Sequence, residues 1–414
     1  MHLPPALKHR RFFFLWLGLL ISIAGTQMQI WALLWHVREL TDQPIALGGI
    51  GAARILPVIV FSLIAGVLAD STDRRTILFV TQTTAALLAL TLGLLTDFGR
   101  ISLWHIYALT ALQAIAVAFD VPARQSLVPN LVPAEDLPNA FSLTSIAFQT
   151  GSILGPALSG FVIAYGGQEA VYYFNAASYL AVILALILLG KVPQKKNPFP
   201  SGRASLAAIR EGLRFTLGTP IIFSTMLLDF IATFFASANT LMPIVARDIL
   251  QVDVVEYGWL SAAASVGAVL AALIVSQVRQ LRRQGSIFWG AVVLFGAATV
   301  LFGLSRQFVL AWFALSLTGA ADSVSTIIRN TIRQLQTPDQ MRGRMTSVNQ
   351  IFFQGGPQLG EIEAGLAAQL FGAPFAIVSG GIGCILGALW VARQWPFILR
   401  YNGDEPIPTR AMAD

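Results

Sequence analysis

The chain carries little charge for its length. Only 12% of its 414 residues are charged and 55% are hydrophobic, whereas a soluble domain has about 25% charged residues. A mean hydropathy of +0.68 over the whole chain requires many apolar segments. This composition excludes a soluble globular protein and predicts an integral membrane protein.

Residues for redox, metal or nucleotide chemistry are also scarce. The single cysteine, Cys384, excludes a disulfide framework and a metal site built from Cys ligands. The four histidines lie in the N-terminal tail or near predicted span ends, which argues against a buried metal triad. No lysine is followed by Ser or Thr, so a phosphate-binding loop is missing, and no Gly-x-Ser-x-Gly nucleophile elbow occurs. We expect no cofactor, no metal and no enzymatic activity.

Twelve apolar runs are long enough to cross a bilayer as helices. Their predicted bounds are 12–36, 45–69, 76–95, 102–119, 139–163, 171–189, 219–245, 256–278, 286–304, 307–332, 344–370 and 374–394. The connections between them are too short to fold as separate domains. The fold class predicted is an all-α membrane protein with twelve transmembrane helices.

The positive charges fall almost entirely on one side of these spans. If the N-terminus is cytoplasmic, 22 of the 27 Lys and Arg fall on that side, Arg329 among them, and Arg54 lies inside a span. The residues on the opposite side are Arg38, Arg100, Arg247 and Arg306. This bias predicts a multi-pass protein of the plasma (inner) membrane with both termini in the cytoplasm. It also explains the net charge of +6 without a nucleic-acid partner.

The two halves of the sequence resemble each other. At a shift of 205 residues, three glycines and a Phe-Gln pair of span five coincide with the same residue types in span eleven. The glycine pairs are Gly151 and Gly356, Gly155 and Gly360, and Gly160 and Gly365. Such a parallel repeat predicts two pseudo-symmetric six-helix halves, as in secondary transporters of the major facilitator type. We expect an N-terminal half at 1–190, a cytoplasmic linker with a surface helix at 191–218, and a C-terminal half with a cytoplasmic tail at 219–414.

Two motifs resemble the major facilitator superfamily directly. The loop after span two keeps part of its loop signature, in Gly66, Asp70, Arg74 and Arg75. The sequence departs from that signature at Ser71 and Asp73. Span five is similar to the signature of the antiporter branches, with Gly151, Gly155, Pro156 and Gly160, although Ser159 replaces one glycine. The glycines have a packing interpretation as well, because small residues let helices approach closely.

A third stretch of the sequence resembles one branch of the superfamily in particular. Asp120, Pro122 and Arg124, followed by Asn139, resemble the branch of drug:proton antiporters that includes enterobactin exporters and macrolide efflux proteins. The resemblance implies a charged gate that holds the cytoplasmic side closed. The gate residues it implies are Gly66, Asp70, Arg74, Arg75, Asp120 and Arg124.

Charged residues inside the spans are functional candidates, because a charge near the bilayer centre costs about 2.5 to 3.5 kcal/mol on insertion scales. They are Arg54, Asp229, Asp322, Glu361 and Glu363. Asp322, like Asp120, lies near the predicted cytoplasmic end of its span, where a gate or cap is the favoured interpretation.

Span eleven carries a polar stripe. Gln350, Gln354, Gln358 and Glu361 fall within an arc of roughly 80° on a helix, whereas Glu363 falls on another face. We predict that Glu361 faces the central cavity and couples proton entry to transport, with Glu363 as a helix contact or rim residue.

The family resemblance implies that spans two and eleven meet where the halves join. Arg54 and Glu361 lie at similar predicted depths in these spans. We therefore hypothesise an ion pair that forms or breaks as the halves rock, with protonation of Glu361 releasing Arg54. A permanent structural pair is the alternative.

On span seven, Asp229 lies between Thr225 and Thr233 at i, i+4 spacing. Asp229 is the second proton-coupling candidate, and a hydrogen-bonded structural role is its alternative. The residues predicted to line a substrate cavity are Gln29, Thr26, Thr233, Gln350, Gln354 and Gln358.

The sequence as a whole favours a secondary transporter that exports an amphipathic small molecule, such as a drug or siderophore, in exchange for protons by alternating access. Sodium is the alternative coupling ion, because carboxylates and polar stripes serve both ions. A lysophospholipid or another lipid is the alternative substrate, and a membrane-embedded enzyme is less favoured because no nucleophile–base constellation is present. We expect a monomer in the lipid bilayer.

Overall fold

The computed structural model describes residues 4–192, 201–236, 238–278, 282–338 and 341–403, and this part of the chain is helical with no strands. The long helices are α1 (Arg10–Leu40), α2 (Pro44–Ser71), α3 (Arg74–Asp97), α4 (Leu103–Leu127), α5 (Leu137–Leu189), α6 (Ser201–Gly218), α7 (Pro220–Phe235), α9 (Val254–Ser276), α10 (Gln284–Leu304), α11 (Phe308–Gln336), α12 (Arg342–Phe371) and α13 (Ala373–Gln394). The short helices are α8 (Met242–Ile244) and α14 (Phe397–Arg400), with single turns of other helix types at Pro5–Lys8, Val128–Asn130, Ala134–Asp136, Ala238–Leu241 and Val245–Ile249.

Within the described residues, ten helical segments are long and apolar enough to cross a membrane. The all-α membrane fold predicted from the sequence is therefore confirmed. The number twelve stays a prediction, partly because α5 runs through the regions predicted as spans five and six.

Two breaks interrupt the long helices. Inside α5 the backbone turns at Gly167, which has φ +75°, a conformation that glycine adopts without steric cost. This residue falls in the predicted connection between spans five and six. The second break follows Phe235, where α7 ends ten residues before the predicted end of span seven.

The chain divides into two compact units. Unit 1 contains Met1–Asp42, Ala53–Arg203 and Asp253–Ala262, and unit 2 contains Gln43–Ala52, Ala204–Val252 and Ala263–Asp414. Apart from two short segments, the chain passes from unit 1 to unit 2 between Arg203 and Ala204, inside the linker predicted at 191–218. The bounds of the halves and of the linker stay a prediction. The first residues of α2 pack in unit 2, and the first residues of α9 pack in unit 1.

Each unit has its own apolar core. In unit 1, Phe12 and Leu15 of α1 pack with Leu78 of α3 and with Val182 and Leu186 of α5, all almost fully buried. In unit 2, the buried core is formed by α7, α10, α11 and α13, with Ile222, Phe288, Ile332, Cys384 and Val391 among its members.

The repeated glycines make equivalent close contacts in the two units. A Cβ on Gly160 of α5 would lie 2.5 Å from the backbone oxygen of Val254, and one on Gly365 of α12 would lie 2.9 Å from the Cα of Gly48. Gly258 of α9 also lies against Gly160. Glycine is therefore required where α5 crosses the start of α9 in unit 1, and where α12 crosses the start of α2 in unit 2.

The remaining glycines of the repeat follow the same pattern. A Cβ on Gly151 or Gly155 would overlap α1, at Ile23 and Gln27 respectively. Their repeat partners in α12, Gly356 and Gly360, would overlap Thr233 and Phe234 of α7. Pro156 lies buried within α5. The span-five motif therefore serves close helix packing in unit 1.

Candidate functional site

A buried ion pair joins two helices of unit 2. Arg329 of α11 contacts the carboxylate of Asp229 of α7, and the two residues are 3% and 5% exposed. Thr233, one turn after Asp229, donates a hydrogen bond to its backbone oxygen at 2.8 Å. A buried charge pair of this kind is costly to break, because removing one partner leaves the other charge unpaired.

The ion pair is linked to a second carboxylate through a hydroxyl. Arg329 Nη2 donates a hydrogen bond to Thr326 Oγ1 at 2.9 Å, and Thr326 in turn hydrogen-bonds the side chain of Asp322. Asp322, Thr326 and Arg329 lie four and three residues apart, so they share one face of α11. The result is a continuous polar chain from Asp322 to Asp229.

Asp322 opens onto a cavity of about 260 Å³ within unit 2. Its side chain is exposed, whereas that of Arg329 is buried. The cavity is lined by parts of α7, α9, α10, α11 and α12. Its lining residues include Thr233, Phe295, Thr299, Phe302, Asp322, Arg329 and Phe353.

Glu361 of α12 lies at the crossing with the start of α2. A Cβ on Gly51 would come within 2.9 Å of Glu361 Oε2, and one on Gly48 within 3.0 Å of the Glu361 backbone oxygen. The absence of side chains at Gly48 and Gly51 therefore makes room for Glu361. Glu361 and Glu363 are both partly buried.

The other predicted site residues of these helices are Gln350, Gln354 and Gln358 on α12 and Arg54 on α2. Gln358 is half-buried, and its Oε1 has no hydrogen-bond partner in the described part of the chain. The side chains of Gln350 and Gln354 lie outside the described residues. Arg54 is half-buried and belongs to unit 1, whereas Glu361 belongs to unit 2, so their ion pair stays a prediction.

In unit 1, the predicted cavity residues belong to a neutral polar network. Gln29 Nε2 donates to Gln113 Oε1 at 2.8 Å, and Asn175 Nδ2 donates to Gln29 Oε1 at 2.6 Å. Thr26 and Gln113 both hydrogen-bond the hydroxyl of Tyr179. Gln29 is 4% exposed, so its amide is committed to holding α1, α4 and α5 together. Substrate contact by Gln29 and Thr26 stays a prediction.

Asp120 is held by several donors in unit 1. Arg124 Nη2 lies 2.6 Å from Asp120 Oδ2, and the amide of Gln82 donates to Oδ1 at 2.7 Å. Thr81 adds a longer hydrogen bond of 3.3 Å to the same oxygen. Asp120 is 5% exposed, so the carboxylate is enclosed between α3 and α4.

The loop motif after α2 is partly described. Asp73, where the sequence departs from the family signature, caps α3 by accepting hydrogen bonds from the backbone of Arg75 and the hydroxyl of Thr76, both at 3.1 Å. Arg75 Nε donates to the backbone oxygen of Leu186 at 2.7 Å. Arg74 is half-buried. Gly66 lies within α2, and the side chain of Asp70 lies outside the described residues. The gate stays a prediction.

Sequence reasoning missed the role of Arg329, which it placed among the cytoplasmic charges. The signal was the Asp322, Thr326, Arg329 spacing on one helix face. It also missed why Asn139 follows the Asp120 motif. Asn139 Oδ1 accepts a hydrogen bond of 3.0 Å from the backbone N–H of Ala6, which fastens the N-terminal turn to the start of α5.

Solved structures share this fold. A bacterial homologue of the human lysosomal transporter Spinster, inward-facing and occupied, matches with a TM-score of 0.73 and 15% identity over 94% of this chain and 97% of that one. A bacterial homologue of the iron transporter ferroportin, inward-facing, matches with a TM-score of 0.69 and 15% identity over 93% and 98%. The chain therefore has the major facilitator fold.

Sequence comparison adds the family. The profile of the family described as transmembrane secretion effector matches residues 3–398, and the chain belongs to this family. Enterobactin exporters EntS from Shigella boydii serotype 18 and from Escherichia coli O81 are each 29% identical over 328 residues, which is 79% of this chain and 78% of theirs. The chain is a membrane transporter and not an enzyme.

Proposed function

We propose that the protein exports an amphipathic small molecule across the inner membrane in exchange for protons, by alternating access. The relatives named enterobactin exporters support the direction of transport. The observation that carries the proposal is the buried Asp229–Arg329 ion pair beside the cavity of unit 2.

Asp229 is the coupling carboxylate in this proposal. A proton on Asp229 would neutralise it and leave the buried Arg329 without its partner, a state that costs several kcal/mol. Arg329 must then find another acceptor, and the unit can relax by moving α11 against α7. Proton binding is thereby converted into a change of helix packing.

Glu361 is the second coupling candidate, and its proposed partner is Arg54. Support comes from its placement on α12 against the glycines at the start of α2. Small residues let the two helix backbones approach closely, so a small separation of α2 and α12 would change the surroundings of the Glu361 charge.

The glycine crossings support alternating access. The segments Gln43–Ala52 and Asp253–Ala262 each pack in the unit opposite to the rest of their helix. In the proposed cycle these segments rest on glycine contacts in one state and leave them in the other. Gly66, Asp70, Arg74, Arg75, Asp120 and Arg124 would close the cytoplasmic side in the second state.

Inside-out membrane vesicles provide the test. A proton gradient is established, a panel of siderophores, macrolides and cationic dyes is added, and the gradient is followed with a pH-reporting dye. We expect a substrate-dependent loss of the gradient that disappears in Asp229→Asn, with Glu361→Gln testing the second candidate. Glu363→Gln is the matched control and should behave as the unaltered protein.

Two outcomes would contradict the proposal. Transport that is indifferent to pH but driven by a sodium gradient would replace the proton by sodium. Transport that persists without either gradient and is unchanged in both variants would make the carboxylates structural.

A further inference from the structure

The cavity of unit 2 carries an excess of negative charge. Of its described lining residues, Asp322 and Arg329 are the charged ones. Arg329 is 3% exposed and is already paired with Asp229 behind the cavity wall. The charge that the cavity presents to a ligand is therefore the carboxylate of Asp322.

The rest of the wall is aromatic and hydroxylic. Phe295, Phe353 and Thr233 line the cavity with accessible side chains, whereas Phe302 and Thr299 border it but are almost fully buried. Aromatic faces attract cations within about 6 Å of the ring centre and also bury apolar groups. A volume of about 260 Å³ holds roughly nine waters at about 30 Å³ each, so one ring with a small substituent fits.

Among the described lining residues, the neighbouring helices add no basic side chain to this wall. Helix α10 has no titratable residue between Gly285 and Leu304, and in α9 the one acidic residue, Glu256, lies in the first turn. On α7 the nearby charge is Asp229, and α12 contributes the acidic residues Glu361 and Glu363. On α11 itself, Arg333 contacts Asn330. No basic residue of the described wall other than the paired Arg329 can neutralise Asp322.

Asp322 is also held in a fixed orientation. Its hydrogen bond with Thr326 leaves the second carboxylate oxygen available, because a hydroxyl occupies one acceptor position. We infer that Asp322 anchors the ammonium group of an organic cation whose aromatic ring lies between Phe295 and Phe353.

This inference deepens the proposed function, on which it rests, by naming the substrate class. It also links the two carboxylates. When Asp229 is protonated, Arg329 loses its partner and lies two helical turns from Asp322, with Thr326 between them. A turn of the guanidinium toward Asp322 would neutralise the anchor and release the cation. No covalent bond changes in this step, and one proton is taken up for each cation released.

A pair of isosteres tests the inference with purified protein in lipid nanodiscs. Phenyltrimethylammonium and tert-butylbenzene have the same shape and differ in one positive charge. Their binding is measured by calorimetry for the unaltered protein, Asp322→Asn, Asp322→Glu and Glu363→Gln. Glu363→Gln removes a carboxylate of unit 2 that does not line the cavity.

We expect the cation to bind at least tenfold more tightly than the neutral isostere. Asp322→Asn should lose that preference while still binding the neutral compound, and the retained binding shows that the variant is folded. Asp322→Glu should restore part of the preference, and Glu363→Gln should leave it intact. Equal affinity for the two probes, or a preference that survives Asp322→Asn, would overturn the inference.

The result separates this inference from the proposed function. Asp322-dependent cation binding in a protein that moves no protons would retain the anchor and reject proton-driven export. Proton-driven export of an anionic siderophore that ignores Asp322 would retain export and reject the anchor.

Discussion

The two units differ in the partners of the carboxylates at corresponding positions, Asp120 and Asp322. In unit 1, Asp120 takes Arg124, four residues on, as its partner and is enclosed by Gln82 and Thr81. At a shift of 202 residues, Asp322 of unit 2 falls on Asp120, but the arginine lies seven residues on, at Arg329, and pairs with Asp229 of α7. Asp322 is left facing the cavity.

Spacing and one extra acid account for the difference. Arginine at i+4 meets its aspartate within one helix turn, whereas arginine at i+7 reaches past it to the neighbouring helix. Helix α7 supplies Asp229 at that point, while α1, the first helix of unit 1, has no Asp or Glu before Glu39. Asp120 in unit 1 is therefore enclosed by its partners, whereas Asp322 in unit 2 faces the cavity. For this reason the coupling chemistry proposed here lies in unit 2.

The largest stability effect should come from Asp229→Asn. It leaves the Arg329 charge buried without a partner, which costs about 3–5 kcal/mol. The free energy of unfolding is measured by titration with a denaturing detergent in mixed micelles. The double variant Asp229→Asn with Arg329→Gln is the control and should recover most of the loss; a single variant as stable as the unaltered protein would show that the pair is not closed.

Valine at the repeated glycines should cost about 1–3 kcal/mol through overpacking. Gly160→Val in unit 1 and Gly365→Val in unit 2 should be similarly destabilised, because both positions lie against backbone atoms of a crossing helix. Gly290→Val in α10 is the control, since a Cβ there meets no atom within 4 Å. A loss at one crossing but not at the other in the same titration would contradict the equivalence of the two crossings, and equal stability of all three variants would contradict the close packing.

A smaller effect is expected for Asp120→Asn. The new amide can still accept the hydrogen bond from Gln82, and Arg124 is partly exposed, with 25% of its side chain accessible, so water can solvate it. We expect a loss of about 1–2 kcal/mol in the free energy of unfolding. A loss as large as that of Asp229→Asn would remove the proposed contrast between the units.

The smallest stability change should belong to Asp322→Asn. Its carboxylate faces the cavity and forms no ion pair with the described residues, so the free energy of unfolding should change by less than about 0.5 kcal/mol. Transport of an organic cation should nevertheless fall at least tenfold in the vesicle assay. A variant that unfolds readily would indicate that Asp322 is a structural carboxylate like Asp120.

The sequence carried the fold further than the site. The lengths of the apolar runs predicted the helices. The matched glycines of spans five and eleven predicted a repeat, and in the structure these glycines make close contacts at equivalent helix crossings. The break after Phe235 and the exchange of helix starts between units depend on tertiary packing, which hydropathy does not encode.

The site was predictable only in part. Asp229 stood out because a lone charge in an apolar helix must have a partner, but the partner lies about one hundred residues away in sequence. Arg329 was assigned to the cytoplasmic charges because it falls in the last turns of its span. The polar row of Gln29 looked like a cavity lining, and only the positions of Gln113 and Asn175 reveal that its hydrogen bonds are satisfied within unit 1.

The role of the Asp229–Arg329 ion pair in proton coupling is tested most directly by measuring proton exchange in proteoliposomes. These hold the double variant Asp229→Asn with Arg329→Gln. If the Asp229–Arg329 ion pair couples protons to transport, this variant should bind phenyltrimethylammonium and let it move down its gradient. The proton release that accompanies transport by the unaltered protein should be lost. Asp120→Asn, the unit 1 comparison, should keep proton exchange. Proton exchange that persists in the double variant would contradict the claim that the Asp229–Arg329 pair couples protons to transport.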